Sequence, residues 1–108
     1  MSFTLRVRPR ATRDIDRFTA YLSEFASKNV SHRFLTRLKE LFGKLEKHPE
    51  HGSRWDSSDP TLEDTLYRTP KRFKNHVVFY QVHGDNVEII RVLHASQDID
   101  QALHEIDE

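Results

Sequence analysis

The chain opens with strict alternation. Phe3, Leu5 and Val7 are separated by Thr4, Arg6 and Arg8, a period of two that marks a strand buried on one face. Pro9 is expected to close this strand, which should lie at or beside a sheet edge. The period then lengthens: between about Ala11 and Ser27, Ile15, Phe18, Leu22 and Phe25 recur at spacings of three and four, with Arg13, Asp16, Arg17 and Glu24 opposite them. This is one face of an amphipathic helix. Asn29 reads as the N-cap of a second helix running to about Lys47. Its stripe of Phe34, Leu38, Leu41 and Leu45 is widened by Leu35 and Phe42, and His48-Pro49 ends it. The short link makes the two helices an antiparallel hairpin, and the breadth of the second stripe requires a sheet beneath it.

From Glu50 to Asp64 the pattern lapses into turn residues, with Gly52, Ser57, Ser58 and Pro60 around a single tryptophan, Trp55. This predicts a long loop anchored by the indole. Leu66-Tyr-Arg-Thr69 is a short strand stopped by Pro70, and Asn75–Val82 and Val87–His94 form a hairpin about Gly84-Asp85, a turn pair suited to tight reversals. A last helix starts near Asp98 and aligns Ile99, Leu103 and Ile106. The order predicts an α+β domain occupying residues 1–108: an N-terminal strand, a helical hairpin, a three-stranded antiparallel meander and a short C-terminal helix. Alternation places Val78, Tyr80 and Val82 on one face and Val77 and Phe79 on the other; it sets Ile90 and Val92 against Val87, Ile89 and Leu93. Both faces are apolar. Two helices cover one, so the other is expected to be left open for a partner, the competing expectation being closure by the tail helix.

Charge changes the picture only through its distribution. Lys and Arg number 17, as do Asp and Glu, so net charge argues for neither nucleic acid nor membrane. Yet Arg68, Lys71, Arg72 and Lys74 form an acid-free basic segment, while Asp98, Asp100, Glu105, Asp107 and Glu108 make the tail acidic. Either the tail covers the basic segment or that segment meets an anionic partner. The chain has no cysteine, which removes disulfide and thiolate chemistry and suits a reducing compartment. No apolar run reaches the length of a membrane span, and a cytoplasmic location is expected.

Among candidate chemical groups, Arg91 stands in an apolar strand and requires a partner, for which Asp98 is nearest in sequence. His94 at the strand end reads as a core or capping histidine. Seven histidines invite a metal, but His48 and His51 alone have suggestive spacing and lack a cysteine or clustered carboxylates, so no metal is expected. No glycine-rich phosphate loop or nucleophile motif is present, and no cofactor is expected.

These residues carry a family resemblance. Val7-Arg-Pro-Arg-Ala11 leading into Asp14-Ile15, Phe34 with Leu38, Phe42, Leu45 and Pro49-Glu-His-Gly52, Phe73-Lys-Asn-His-Val-Val-Phe-Tyr80, and Ile89-Ile-Arg-Val-Leu-His94 with Asp98 resemble the ParE/RelE toxins of type II toxin–antitoxin systems. The Arg-Val-Leu-His ending is more similar to the ParE branch. That resemblance implies inhibition of DNA gyrase by binding and a hetero-oligomer with a neutralising antitoxin; resemblance to the RelE branch implies ribosome-dependent mRNA cleavage. A non-toxic relative is the third reading. The antitoxin is expected on Phe18, Leu22, Phe34 and Leu38, by a helix laid in an apolar groove. The target is expected at Arg68, Lys71, Arg72, Lys74 and Arg91. Metal-free RNA cleavage needs a base, an acid and phosphate-holding cations; Arg68, Lys71, Arg72, Tyr80 and Arg91 are the candidates, with His76 as a further proton carrier. The acidic tail opposes RNA.

Overall fold

A computed structural model describes residues 2–105. Strand β1 (Thr4–Val7) leads into helix α1 (Pro9–Phe25) and α2 (Lys28–Lys47); β2 (Ser53–Arg54), β3 (Leu66–Arg68), β4 (His76–His83), β5 (Asn86–His94) and α3 (Ile99–His104) follow. The five strands are ordered β1-β5-β4-β3-β2, with β1 parallel to β5 and every other pair antiparallel. The meander therefore gains β1 on one side and the two-residue β2 on the other. Among the described residues no helix is long and apolar enough to cross a membrane.

Several boundaries differ from the sequence pattern for local reasons. Pro9 opens α1 at its first turn, where the missing N–H costs nothing, instead of only closing β1. Ser27, not Asn29, caps α2: its hydroxyl accepts the Val30 N–H at 3.0 Å. Ser31 ties the two helices together, its hydroxyl donating to the Thr19 carbonyl at 2.8 Å. Gly84 takes φ +60° at the first position of the β4–β5 turn, the left-handed geometry for which glycine is suited.

The hairpin of helices covers one sheet face. Phe34, Leu38, Leu41 and Leu45 pack with Val78, Tyr80, Val87, Ile89 and Val92. Strict alternation misplaces part of β5, because the ladder shifts between Phe79 and Tyr80: Phe79 faces Arg91 while Tyr80 faces Ile89. Ile90 is the extra residue of this bulge, and side-chain parity reverses across it. Val92 thus joins Val87 and Ile89 under the helices, and Ile90 and Leu93 turn to the second face.

That second face is not left open. Phe79, Ile90 and Leu93 are covered by Leu62, Ala102 and Leu103, with Trp55, Tyr67 and Ile99 at the margin. The expected open sheet face is corrected: the loop and α3 close it. Trp55 anchors its loop as expected, meeting Phe79 edge-on and donating to Asp100 at 3.3 Å. Ile106, expected to extend the α3 stripe, lies outside the described residues.

Candidate functional site: an apolar groove and a basic cleft

Arg91 is 5% exposed, and its partner is Asp14, not Asp98. Its Nε and Nη2 donate to the two Asp14 oxygens at 2.7 and 3.0 Å, and Nη1 donates to the Ala102 carbonyl at 2.7 Å. Asp14 also accepts the Val92 N–H at 3.0 Å. Pairing of β1 with β5 ends at Val7–Ile89, and this carboxylate from α1 satisfies the strand edge beyond it. Asp98 instead caps α3, accepting the Gln101 N–H. Arg91 is consequently a structural cation and is withdrawn from both the target-binding and the catalytic candidates.

Tyr80 is fully buried, its hydroxyl donating to the Pro49 carbonyl at 2.5 Å, and burial pushes its pKa up. Gly52 lies so close that a Cβ there would fall 2.0 Å from the Tyr80 oxygen. A phenol held this way has no path to an RNA hydroxyl. Phe34 and Leu38, at 0% and 2% exposure, are likewise core residues and offer no surface to an antitoxin.

Phe18 and Leu22 do reach an open groove of about 410 Å³, together with Asp14, Arg17, Tyr21, His76, His94, Ser96 and Gln97. It runs between α1 and the ends of β4 and β5. Tyr21 and its neighbour Phe25 are 59% and 69% exposed, their rings in tilted contact with centroids 4.8 Å apart. At its floor His76 sits against Phe18, Phe34 and His94, with centroids 4.8, 5.0 and 5.1 Å away. The His76 Nδ1 is buried without a hydrogen-bond partner among the described residues. Burial, then the charge of His94, holds its pKa below the usual imidazole value. His94 ends β5 in a turn, its Nδ1 accepting the Ser96 N–H at 3.1 Å.

The basic segment lies on a different surface, at the β3–β4 connection. Arg68 is half-buried, and Lys71, Arg72 and Lys74 are exposed. Arg72 has φ +69° inside a turn closed by the Phe73 N–H on the Pro70 carbonyl at 3.0 Å, a left-handed conformation that costs a side-chain-bearing residue about 1 kcal/mol. The tail does not cover this segment among the described residues: Asp98 caps α3, Asp100 accepts from Trp55 and Glu105 pairs with Arg10. Asp107 and Glu108 lie outside the described residues. Tertiary folding adds what the sequence reading missed. Arg37 and Lys44 of α2 line one cleft of about 210 Å³ with Arg68 and Lys71, and the acid there, Glu40, is paired to Arg37. Their only sequence-level signal is an i, i+7 spacing on the polar side of α2.

Against known proteins, the model of the ParE toxin of the type II toxin–antitoxin system, parDE, matches residues 5–99. The chain belongs to the ParE toxin family. No curated protein matches it. Among solved structures, this ParE-family chain is similar to one from the chromosomal ParDE toxin–antitoxin system of P. aeruginosa, with TM-score 0.70 and 16% identity over 86% of this chain and 96% of that one. It is also similar to a chain of the RelBE2 toxin–antitoxin complex of Mycobacterium tuberculosis, with TM-score 0.53 and 23% identity over 87% and 99%. These likenesses extend the ParE family assignment to the shared ParE/RelE fold.

Proposed function

We propose that this ParE-family toxin acts by binding a protein target, DNA gyrase, through the basic cleft, and is neutralised by an antitoxin seated in the apolar groove. One observation carries the first half: of the groups needed for RNA cleavage, Tyr80 and Arg91 are buried and committed to internal partners. His76 lies at the floor of the apolar groove, packed against Phe18 and Phe34. The cations of the basic cleft lie on a different surface from His76, and the carboxylate lining that cleft, Glu40, is paired to Arg37, which supports a binding role over proton transfer. The choice of gyrase rests on the resemblance to the ParE branch, which membership in the ParE family supports, and with such a target the toxin would act in the cytoplasm.

The second half is supported by Tyr21 and Phe25, the large apolar side chains left exposed among the described residues, which stand at a groove. Arg13 and Arg17, solvent-facing on the same helix, suit an antitoxin segment with apolar anchors and acidic flanks. The solved relatives come from a ParDE system and a RelBE2 toxin–antitoxin complex, which agrees with a hetero-oligomer.

The test is a supercoiling assay with purified gyrase beside an in vitro translation assay read for mRNA cuts. Inhibited supercoiling with intact mRNA is expected, whereas site-specific mRNA cuts would establish the ribosome as target and overturn the reading. Arg72→Gly sharpens the test. Relief of the left-handed strain should leave stability unchanged or raise it by about 1 kcal/mol, while inhibition weakens. Unchanged inhibition would remove Arg72 from the target surface.

A further inference from the structure

The end of α2 gathers three ligating side chains at a rigid corner. Pro49 cannot continue the helix, so the chain enters a single 3-10 turn, Pro49–His51, closed by the His51 N–H on the His48 carbonyl at 3.3 Å. This places positions i, i+2 and i+3 on one side. The His48 Nδ1 lies 3.4 Å and the His51 Nε2 3.7 Å from the same Glu50 oxygen. All three ligand atoms fall within 4.8 Å of one another, the one such grouping among the described residues. The imidazoles lie nearly parallel, 12° apart, with centroids separated by 4.9 Å.

We propose that His48, Glu50 and His51 form a three-ligand site for a divalent transition ion of the zinc class. At zinc–nitrogen and zinc–oxygen distances of about 2.0–2.1 Å, neighbouring ligands of a tetrahedron stand about 3.3 Å apart. The two distances to Glu50 are already close to that edge, and rotation of solvent-exposed imidazoles closes the third. The backbone beneath them is held: Pro49 is fully buried and its carbonyl accepts from Tyr80. Two neutral imidazoles and one carboxylate suit zinc, nickel or copper better than magnesium or calcium, which favour oxygen. The fourth position faces solvent and takes water.

The geometry uses the His48 Nδ1 and the His51 Nε2 as donor atoms, so the proton of each ring sits on its other nitrogen. An ion here ties the α2 terminus to the turn that abuts Tyr80, and occupancy is read as fold stability.

Isothermal titration of the full chain, free of any polyhistidine tag, with zinc chloride at pH 7.5 tests this. One ion per chain at micromolar Kd is expected. His48→Ala, His51→Ala and Glu50→Gln should each weaken binding by more than about tenfold, the loss that removal of even an outer-shell partner causes. His32→Ala and His104→Ala, at exposed histidines elsewhere, should leave it unchanged. Zinc should raise the Tm of the wild type and not that of the His48→Ala/His51→Ala double variant, whose fold is checked by circular dichroism. A millimolar Kd, or a Kd untouched by that double variant, overturns the site.

Discussion

Asp14 shows how one side chain can settle two problems at a strand edge. It neutralises the buried Arg91 guanidinium and accepts the Val92 N–H where β1 no longer reaches. Asp14→Ala should cost about 3–5 kcal/mol in urea unfolding, because the charge left behind stays buried, whereas Asp14→Leu with Arg91→Met should cost less than either single change. His76 gives a pH-dependent counterpart. Its pKa is lowered in the fold from 6.5, by burial first, so the unfolded chain takes up protons more readily between the folded value and about 6.5. Stability from this group is therefore complete above 6.5 and is lost as pH falls toward the folded value. Thermal melts should show the wild type weakening from pH 7 to 5.5. His76→Phe should flatten that loss and, by removing the unpartnered Nδ1, add about 1 kcal/mol at pH 5.5.

At the scale of elements, the periods of two and three-to-four located the strands and helices, while their ends followed backbone chemistry that periodicity does not report. Pro9 starting α1 and Ser27 capping α2 are such cases. The α1 stripe also predicted its own burial too broadly: Phe25 falls in register with Phe18 and Leu22, yet it is left exposed, in tilted contact with Tyr21 one turn before it. These two rings on one helix make a separable docking element. Tyr21→Asp with Phe25→Asp should leave stability within about 0.5 kcal/mol, as surface changes do. Antitoxin affinity measured by calorimetry should fall at least about tenfold, with gyrase inhibition retained.

For the whole molecule, the decisive packing event is closure of the second sheet face by the 50–64 loop and α3. That region reads as turn residues and a short tail, and nothing local says that Leu62, Ala102 and Leu103 will meet over Phe79 and Leu93. Leu103→Asp should therefore lower stability by about 2–4 kcal/mol and open this face to a hydrophobic dye, an outcome distinct from the α1 substitutions. Closure also relocates the candidate partner surface. The exposed apolar area belongs to α1 and its groove, and the basic segment stands with Arg37 and Lys44 on another side.

The sequence by itself determined the order of the main strands and helices, though not the two-residue β2 inside the expected loop, together with the α+β class, the helical hairpin over one sheet face and the family, because these rest on hydrophobic period, turn residues and motifs that are local in the chain. Only the tertiary structure decided that Arg91 is matched by Asp14, 77 positions away, and that a one-residue bulge reverses the faces of Val92 and Leu93. It also decided that Tyr80, Phe34 and Leu38, each on an apolar stripe or face in the sequence pattern, are too buried to meet a partner. Alternation tells which residues are apolar; burial and charge pairing depend on which distant segment arrives to cover them.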